Sequence, residues 1–170
     1  MPFSLLPRLR SNSITLLTPE MLQKRGIQLL MLDFDNTIVP YTTNEPTEEM
    51  DAWLKMMTES EVRICVVSNS KRDRVKLFCK GYGIECITHA KKPFSKGIKE
   101  CLDRYGLPAS ACALAGDQIY TDVLGANCTG VTSILVKAIN NHNFWLKARH
   151  VLELPWIFMA RNRRITCEKS

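Results

Sequence analysis

Four polar clusters in this 170-residue chain each follow a short apolar run, and their side chains suit phosphate and metal chemistry. Asp33-Phe34-Asp35-Asn36-Thr37 comes first, then Ser68-Asn69-Ser70, then His89-Ala90-Lys91-Lys92-Pro93, then Gly116-Asp117-Gln118 with Asp122 beyond it. Carboxylates gathered at one place repel one another unless a cation neutralises them. Oxygen ligands without His or Cys select a hard ion, and Mg²⁺ is the common one beside phosphate. Asp33 and Asp35 are two residues apart, so in a continuing strand they would face opposite ways. Both border one pocket only if the chain turns after Asp33. Ser68 and a lysine, Lys92, would then offer a hydroxyl and a fixed positive charge to a phosphoryl group. An Asp nucleophile, a second Asp as acid/base, Mg²⁺ and a lysine make a phosphoryl-transfer site working through an aspartyl-phosphate.

The elements that must position these groups follow from apolar periodicity. Ile27–Leu32, Val62–Val67, Ile84–Thr88, Cys112–Ala115 and Val131–Val136 read as buried strands. Between them lie segments of helical period. A short helix opens at Thr18-Pro19-Glu20 and stops at Gly26. Others span Pro46 to Glu59, Lys71–Lys80 closed by Gly81, Ser95–Tyr105 closed by Gly106, and Tyr120–Asn127. Strands alternating with helices predict an α/β fold, a five-stranded parallel sheet covered on both faces. Ligands bind at the carboxyl ends of such strands, where strand order reverses, and all four clusters sit there.

Composition narrows the class. With 45% hydrophobic and 24% charged residues the chain is globular, not collagen-like or wholly disordered. A membrane span needs about 20 apolar residues in a row. The longest clean run, Leu154 to Ala160, has seven and contains a proline. The opening MPFSLLPRLRSN lacks an apolar core of signal-peptide length, so export is not expected. The seven cysteines include no C-x-x-C pair, which argues against a disulfide framework or zinc site and for a reducing compartment, most simply the cytoplasm. The net charge of +6 favours anionic partners.

The ordered series D-F-D-N-T, S-N, K-P and G-D-x-x-x-x-D resembles the haloacid-dehalogenase (HAD) superfamily of aspartate-dependent phosphatases. L-T-P-E-x-L and G-I before the first strand, with V-S-N, A-x-K-P and G-D-Q-x-x-T-D-V-x-G-A-N, narrow the likeness to the YqeG-like (subfamily IIIA) branch. That branch includes the mitochondrial-type phosphatidylglycerophosphate phosphatases. The resemblance covers residues 14–137 and implies a HAD-like Rossmannoid three-layer fold. By resemblance Asp33 is the nucleophile and a Mg²⁺ ligand, and Asp35 is the acid/base, its main-chain carbonyl on the metal. Asp117 is the third protein ligand. Ser68, Asn69 and Lys92 bind phosphate, with Lys91 the alternative to Lys92, and Asp122 and Thr37 support the site. Asn36 stands where the wider superfamily commonly has Gly.

Residues 1–26 read as an arm with a short helix, 27–137 as the catalytic core and 138–170 as a tail. Neither the Ile38 to Thr47 connection nor residues 71–91 leave room for an inserted cap domain, so the site is expected to be open. An open site suits phosphate on a bulky body: a lipid headgroup, a nucleic-acid end or a phosphoprotein. The tail carries six Lys/Arg and two acids, and holds Trp145 and Trp156 beside apolar residues. Such a segment either lies in a bilayer interface or packs back on the domain. The open site, the basic apolar tail and what the resemblance implies together make phosphatidylglycerophosphate at a membrane surface the expected substrate, and a nucleic-acid end the alternative. A catalytically idle interaction protein and a phosphoaccepting receiver domain are the competing classes. A receiver would need its acceptor Asp after the third strand, where this chain has Thr88-His89. The charged segment Lys71–Lys80 reads as a solvated helix face.

Overall fold

The structure is a computed structural model and describes residues 4–40, 43, 45–70, 73–139, 154–160 and 163. Six strands form one parallel sheet: β1 (Leu9–Ser11), β2 (Leu29–Leu32), β3 (Arg63–Val67), β4 (Glu85–Ile87), β5 (Cys112–Gly116) and β6 (Thr132–Val136). Their order is β1-β6-β5-β2-β3-β4. The five expected strands are all present. The sixth, β1, lies in the segment read as an arm, and pairs Leu9, Arg10 and Ser11 with Ile134, Leu135 and Val136. Three residues are too short to show a period; the free edge of β6 makes them a strand.

Side chains leave a strand alternately to its two faces. Leu30 and Leu32 join Ile64, Val66, Ala113 and Ala115 in one apolar layer. That layer also takes Met50, Trp53, Leu54 and Met57 of α2 (Glu48–Thr58) and Val75 and Cys79 of α3 (Asp73–Tyr82). Leu29 and Met31 join Cys65, Val67, Cys112 and Leu114 on the other face, under Ile98 and Cys101 of α4 (Lys96–Tyr105) and Ala126 of α5 (Leu124–Thr129). Burial on both faces is why these strands read as unbroken apolar runs. A short α1 (Pro19–Gln23) precedes β2, with the Thr18 hydroxyl accepting from the Met21 N–H as its N-cap.

Most element ends fall within one or two residues of the sequence reading, and two differences change the elements themselves. Gly81 does not close α3: the helix runs through Tyr82, and Gly83 takes the left-handed turn at φ +66°. The segment before α5 is a π-helical turn, Ile119–Val123, rather than one helix with it.

From β2 the chain steps outward through β3 to β4, then returns to the other side of β2 as β5. Strand order therefore reverses between β2 and β5, and Asp33 and Asp117 follow those two strands. No domain is inserted among the described residues: one connection joins β2 to α2, and α3, β4, α4 and a 3-10 turn at Ala109–Ala111 separate β3 from β5. Within the tail, residues 154–159 are helical, and Trp156 and Ile157 pack on Ile119, Val123 and Leu135. Arg10 donates to the Ile157 carbonyl at 2.9 Å. The rest of the tail lies outside the described residues.

Candidate active site

The chain does turn after Asp33. The Asp33 N–H still bonds the Ala115 carbonyl on β5, at 2.9 Å, but the Phe34 carbonyl accepts the Ile38 N–H at 3.0 Å and the Asn36 N–H bonds the Val39 carbonyl at 2.7 Å. Asn36 sits at φ +66°, a left-handed conformation that Asn tolerates among non-glycine residues. That explains its presence where the wider superfamily has Gly. Its amide also reaches Asp117 Oδ2 at 3.5 Å.

Lys92 is 4% exposed, and its Nζ lies 2.7 Å from both Asp33 Oδ1 and Asp122 Oδ1. Lys91 beside it is exposed, at φ +56°. Burial drags the Lys92 ammonium toward neutrality, but the Asp122 and Asp33 carboxylates outweigh it, so the group holds its proton above the ordinary lysine range. Asp33 goes the other way from an ordinary carboxylate. Burial pushes it up to about 6, with Asp122 adding to the rise and Lys92 opposing it. Carboxylate oxygens of Asp33, Asp117 and Asp122 lie within 4.8 Å of one another, all buried. Asp33 Oδ2 is buried with no hydrogen-bond partner among the described residues. An orphaned anionic oxygen in an all-oxygen cluster fits a hard cation.

Asp122 reaches the cluster from the π-helical turn, accepting the Gln118 N–H at its Oδ2, 3.1 Å. It passes so close to β5 that a Cβ on Gly116 would meet Asp122 Oδ2 at 2.3 Å. The glycine of the G-D pair is thus what admits the second acid.

Ser68 is buried at the end of β3, its hydroxyl accepting the Ser70 N–H at 3.0 Å. Asn69 uses both ends of its amide on Lys92: Nδ2 donates to the Lys92 carbonyl at 2.9 Å, and Oδ1 accepts the Lys92 N–H at 2.7 Å. Thr37 is buried in the turn below Asp35. Asp35 forms an ion pair with Arg74 of α3, a residue that sequence reasoning left on a solvated face. Charge alone signalled nothing there, since Arg74 is one of several basic residues in that segment.

The arrangement offers a buried carboxylate, a flanking lysine, a hydroxyl, a cation-competent acid cluster and a second carboxylate at the rim. The family described as mitochondrial PGP phosphatase matches residues 1–139. "Probable phosphatase YqeG" of Bacillus subtilis is 37% identical over 120 residues, covering 71% of this chain and 70% of that protein. Among solved structures, a hydrolase assigned to HAD subfamily III A from Legionella pneumophila aligns with TM-score 0.55 at 16% identity, covering 76% of this chain and 74% of that one. The 3-deoxy-D-manno-octulosonate 8-phosphate phosphatase of Yersinia pestis aligns with TM-score 0.54 at 15% identity, covering 84% and 86%. These structural likenesses establish the HAD-like fold.

Proposed function

Because the chain belongs to the mitochondrial PGP phosphatase family and is a phosphatase of HAD type, we propose that it hydrolyses phosphatidylglycerophosphate, with Mg²⁺ as cofactor, in the synthesis of phosphatidylglycerol and cardiolipin. The observation that carries this reading is the pairing of Asp33 with Lys92 at a sheet edge where no cap is inserted among the described residues. One Asp33 oxygen is held by the lysine, and the other is without a hydrogen-bond partner among the described residues. That edge admits a phosphate still attached to a large body.

Asp33 attacks phosphorus; the bond from phosphorus to the glycerol oxygen breaks as Asp35 gives that oxygen a proton. Water then attacks the aspartyl-phosphate and gives a proton to Asp35, the bond from phosphorus to the Asp33 oxygen breaks, and inorganic phosphate leaves with Asp33 restored. Lys92 and the Ser68 hydroxyl face the non-bridging oxygens, where charge grows. Asn69 serves phosphate binding by holding Lys92 in place, and Thr37 and Asp122 buttress the nucleophile turn and the lysine. Asp33, the Asp35 carbonyl and Asp117 would hold Mg²⁺, which neutralises charge between the carboxylates and the phosphate. The protein works in a reducing, cytoplasm-like compartment and is peripheral at the membrane. No helix among the described residues is long and apolar enough to cross a bilayer. The tail helix turns Leu154, Phe158 and Met159 outward, exposed at 46%, 72% and 61%. Together with the tail's arginines these residues suit an anionic bilayer interface.

The test compares initial rates on phosphatidylglycerophosphate in anionic vesicles with rates on end-phosphorylated oligonucleotides. Lipid hydrolysis dominates under this reading, and the full-length Phe158→Ser/Met159→Ser protein loses rate on vesicles but not on a soluble phosphomonoester. Hydrolysis of the oligonucleotide alone would overturn the substrate assignment.

A further inference from the structure

Arg74, among the described residues at the site, is a charged group that neither the motifs nor the proposed chemistry employs. It is the second residue of α3, in a segment rich in exposed charge: Lys76 nearby is 60% exposed in its side chain, whereas Arg74 is 13% exposed. Its contacts turn it inward. Its Nη2 pairs with Asp35 Oδ1. Its Nη1 donates to the Thr43 carbonyl at 3.2 Å. Its guanidinium lies 5.3 Å above the Phe34 ring, and Phe34 in turn meets Phe78, one turn further along α3, edge-on at 5.2 Å.

One planar fork therefore ties two points of the β2–α2 connection, the turn at Asp35 and the Thr43 carbonyl, to the helix after Ser68. A guanidinium suits this role because its donors lie in one plane and point in fixed directions, while its face stacks on an aromatic ring. The carboxylate it grips is the one required to exchange a proton twice per turnover. A carboxyl group near the rim of an open site has rotamer freedom, and misplacement by about 1 Å costs on the order of 10²-fold in rate.

We propose that Arg74 is the positioning residue for proton transfer: by holding Asp35 Oδ1 and the Thr43 carbonyl together against Phe34, it fixes the plane of the Asp35 carboxyl and leaves Oδ2 to serve the leaving oxygen and then the water. This rests on the reading of Asp35 as acid/base. It is separate from phosphate binding, which belongs to Ser68 and Lys92, so it predicts a defect in rate rather than in substrate affinity.

The experiment uses the full chain with Mg²⁺ and two substrates, an alkyl phosphomonoester and p-nitrophenyl phosphate, whose leaving phenolate needs no proton. Rapid-quench measurement of phosphoenzyme formation isolates the first step, and its decay the second. Positioning makes Arg74→Gln slow the first step on the alkyl substrate by about tenfold or more, part of the 10²–10⁴ that general acid–base help supplies. The first step on p-nitrophenyl phosphate stays within about twofold, the phosphoenzyme decays slowly, and the dissociation constant of each substrate, read from the concentration dependence of phosphoenzyme formation, is little changed. Arg74→Lys keeps the charge at Asp35 without the planar bridge, and recovers part of the rate. It also carries the same test should Arg74→Gln fail to fold, as thermal unfolding would show. Equal loss in the first step on both substrates, or none on either, overturns the proposal. Asp35→Asn is the control: if it too shows no dependence on the leaving group, the acid/base reading of Asp35 itself is what fails.

Discussion

Asn69 grips Lys92 by both polar groups of its backbone, donating to the carbonyl and accepting from the N–H, while the Lys92 side chain runs on to bridge Asp33 and Asp122. A residue at the end of β3 thereby sets the height of a lysine delivered from beyond β4. Asn69→Ala removes two hydrogen bonds worth about 0.5–1.5 kcal/mol each. The expected result is a KM raised more than kcat is lowered, read from steady-state phosphate release, with a modest fall in the unfolding midpoint.

Asp33→Asn is nearly isosteric and carries no nucleophile, so phosphate release falls to background in a protein that still folds. Asp35→Asn is slower than the parent by about 10²–10⁴-fold on alkyl phosphates. Full activity of Asp33→Asn, in protein checked by mass for deamidation, would remove the covalent mechanism.

The metal prediction separates binding from chemistry. Asp117→Ala weakens Mg²⁺ binding in a calorimetric titration, and the loss of rate follows from it. In the parent protein EDTA inactivates, Mg²⁺ restores, and Ca²⁺ restores poorly because its longer, looser coordination misplaces the phosphate. Activity that survives exhaustive chelation would contradict the site.

Asp33 also writes a signature in stability against pH. In the folded, metal-free protein it keeps its proton to about 6, whereas the unfolded chain releases it near 3.8. The folded state thus binds more protons between those values, so this residue's contribution falls as pH rises through the window and is fully lost above it. Urea midpoints in EDTA should therefore drop less with rising pH, across about pH 4 to 7, in Asp33→Asn than in the parent. Identical profiles would show that burial does not hold the proton there.

Gly116→Ala changes no functional group, yet its new Cβ would stand 2.3 Å from Asp122 Oδ2. Asp122 must move and Lys92 loses one of its two anchors. The variant should resemble Asp122→Asn in rate, at a cost on the order of 10²-fold for a shift of about 1 Å. A Gly116→Ala protein as active as the parent would show that Asp122 is dispensable.

Much of this was legible in the chain because each polar cluster directly follows a run such as Leu29–Leu32 or Cys112–Gly116, buried on both faces. Such runs announce parallel strands, and whatever ends them lies at the ligand-binding edge. Other features depended on partners far away in sequence. Leu9–Ser11 becomes a strand only against β6. Arg74 turns inward because Phe34 and Asp35 wait for it, and nothing local distinguishes it from Lys76. Asn69 looks like a phosphate ligand beside Ser68 until the Lys92 backbone is found occupying its amide.

The pairing of β1 with β6 sets an order of events during synthesis. Residues 9–11 leave the ribosome well before their partners at 134–136, so the edge they complete stays open until the sheet is otherwise built. Contacts of such long loop closure form late. Until then β6 presents unpaired N–H and C=O groups, a template on which a second chain could add. Leu9–Ser11 therefore covers that edge only at the last step, and its loss would leave β6 an exposed edge in the finished sheet, which would show first as aggregation during expression.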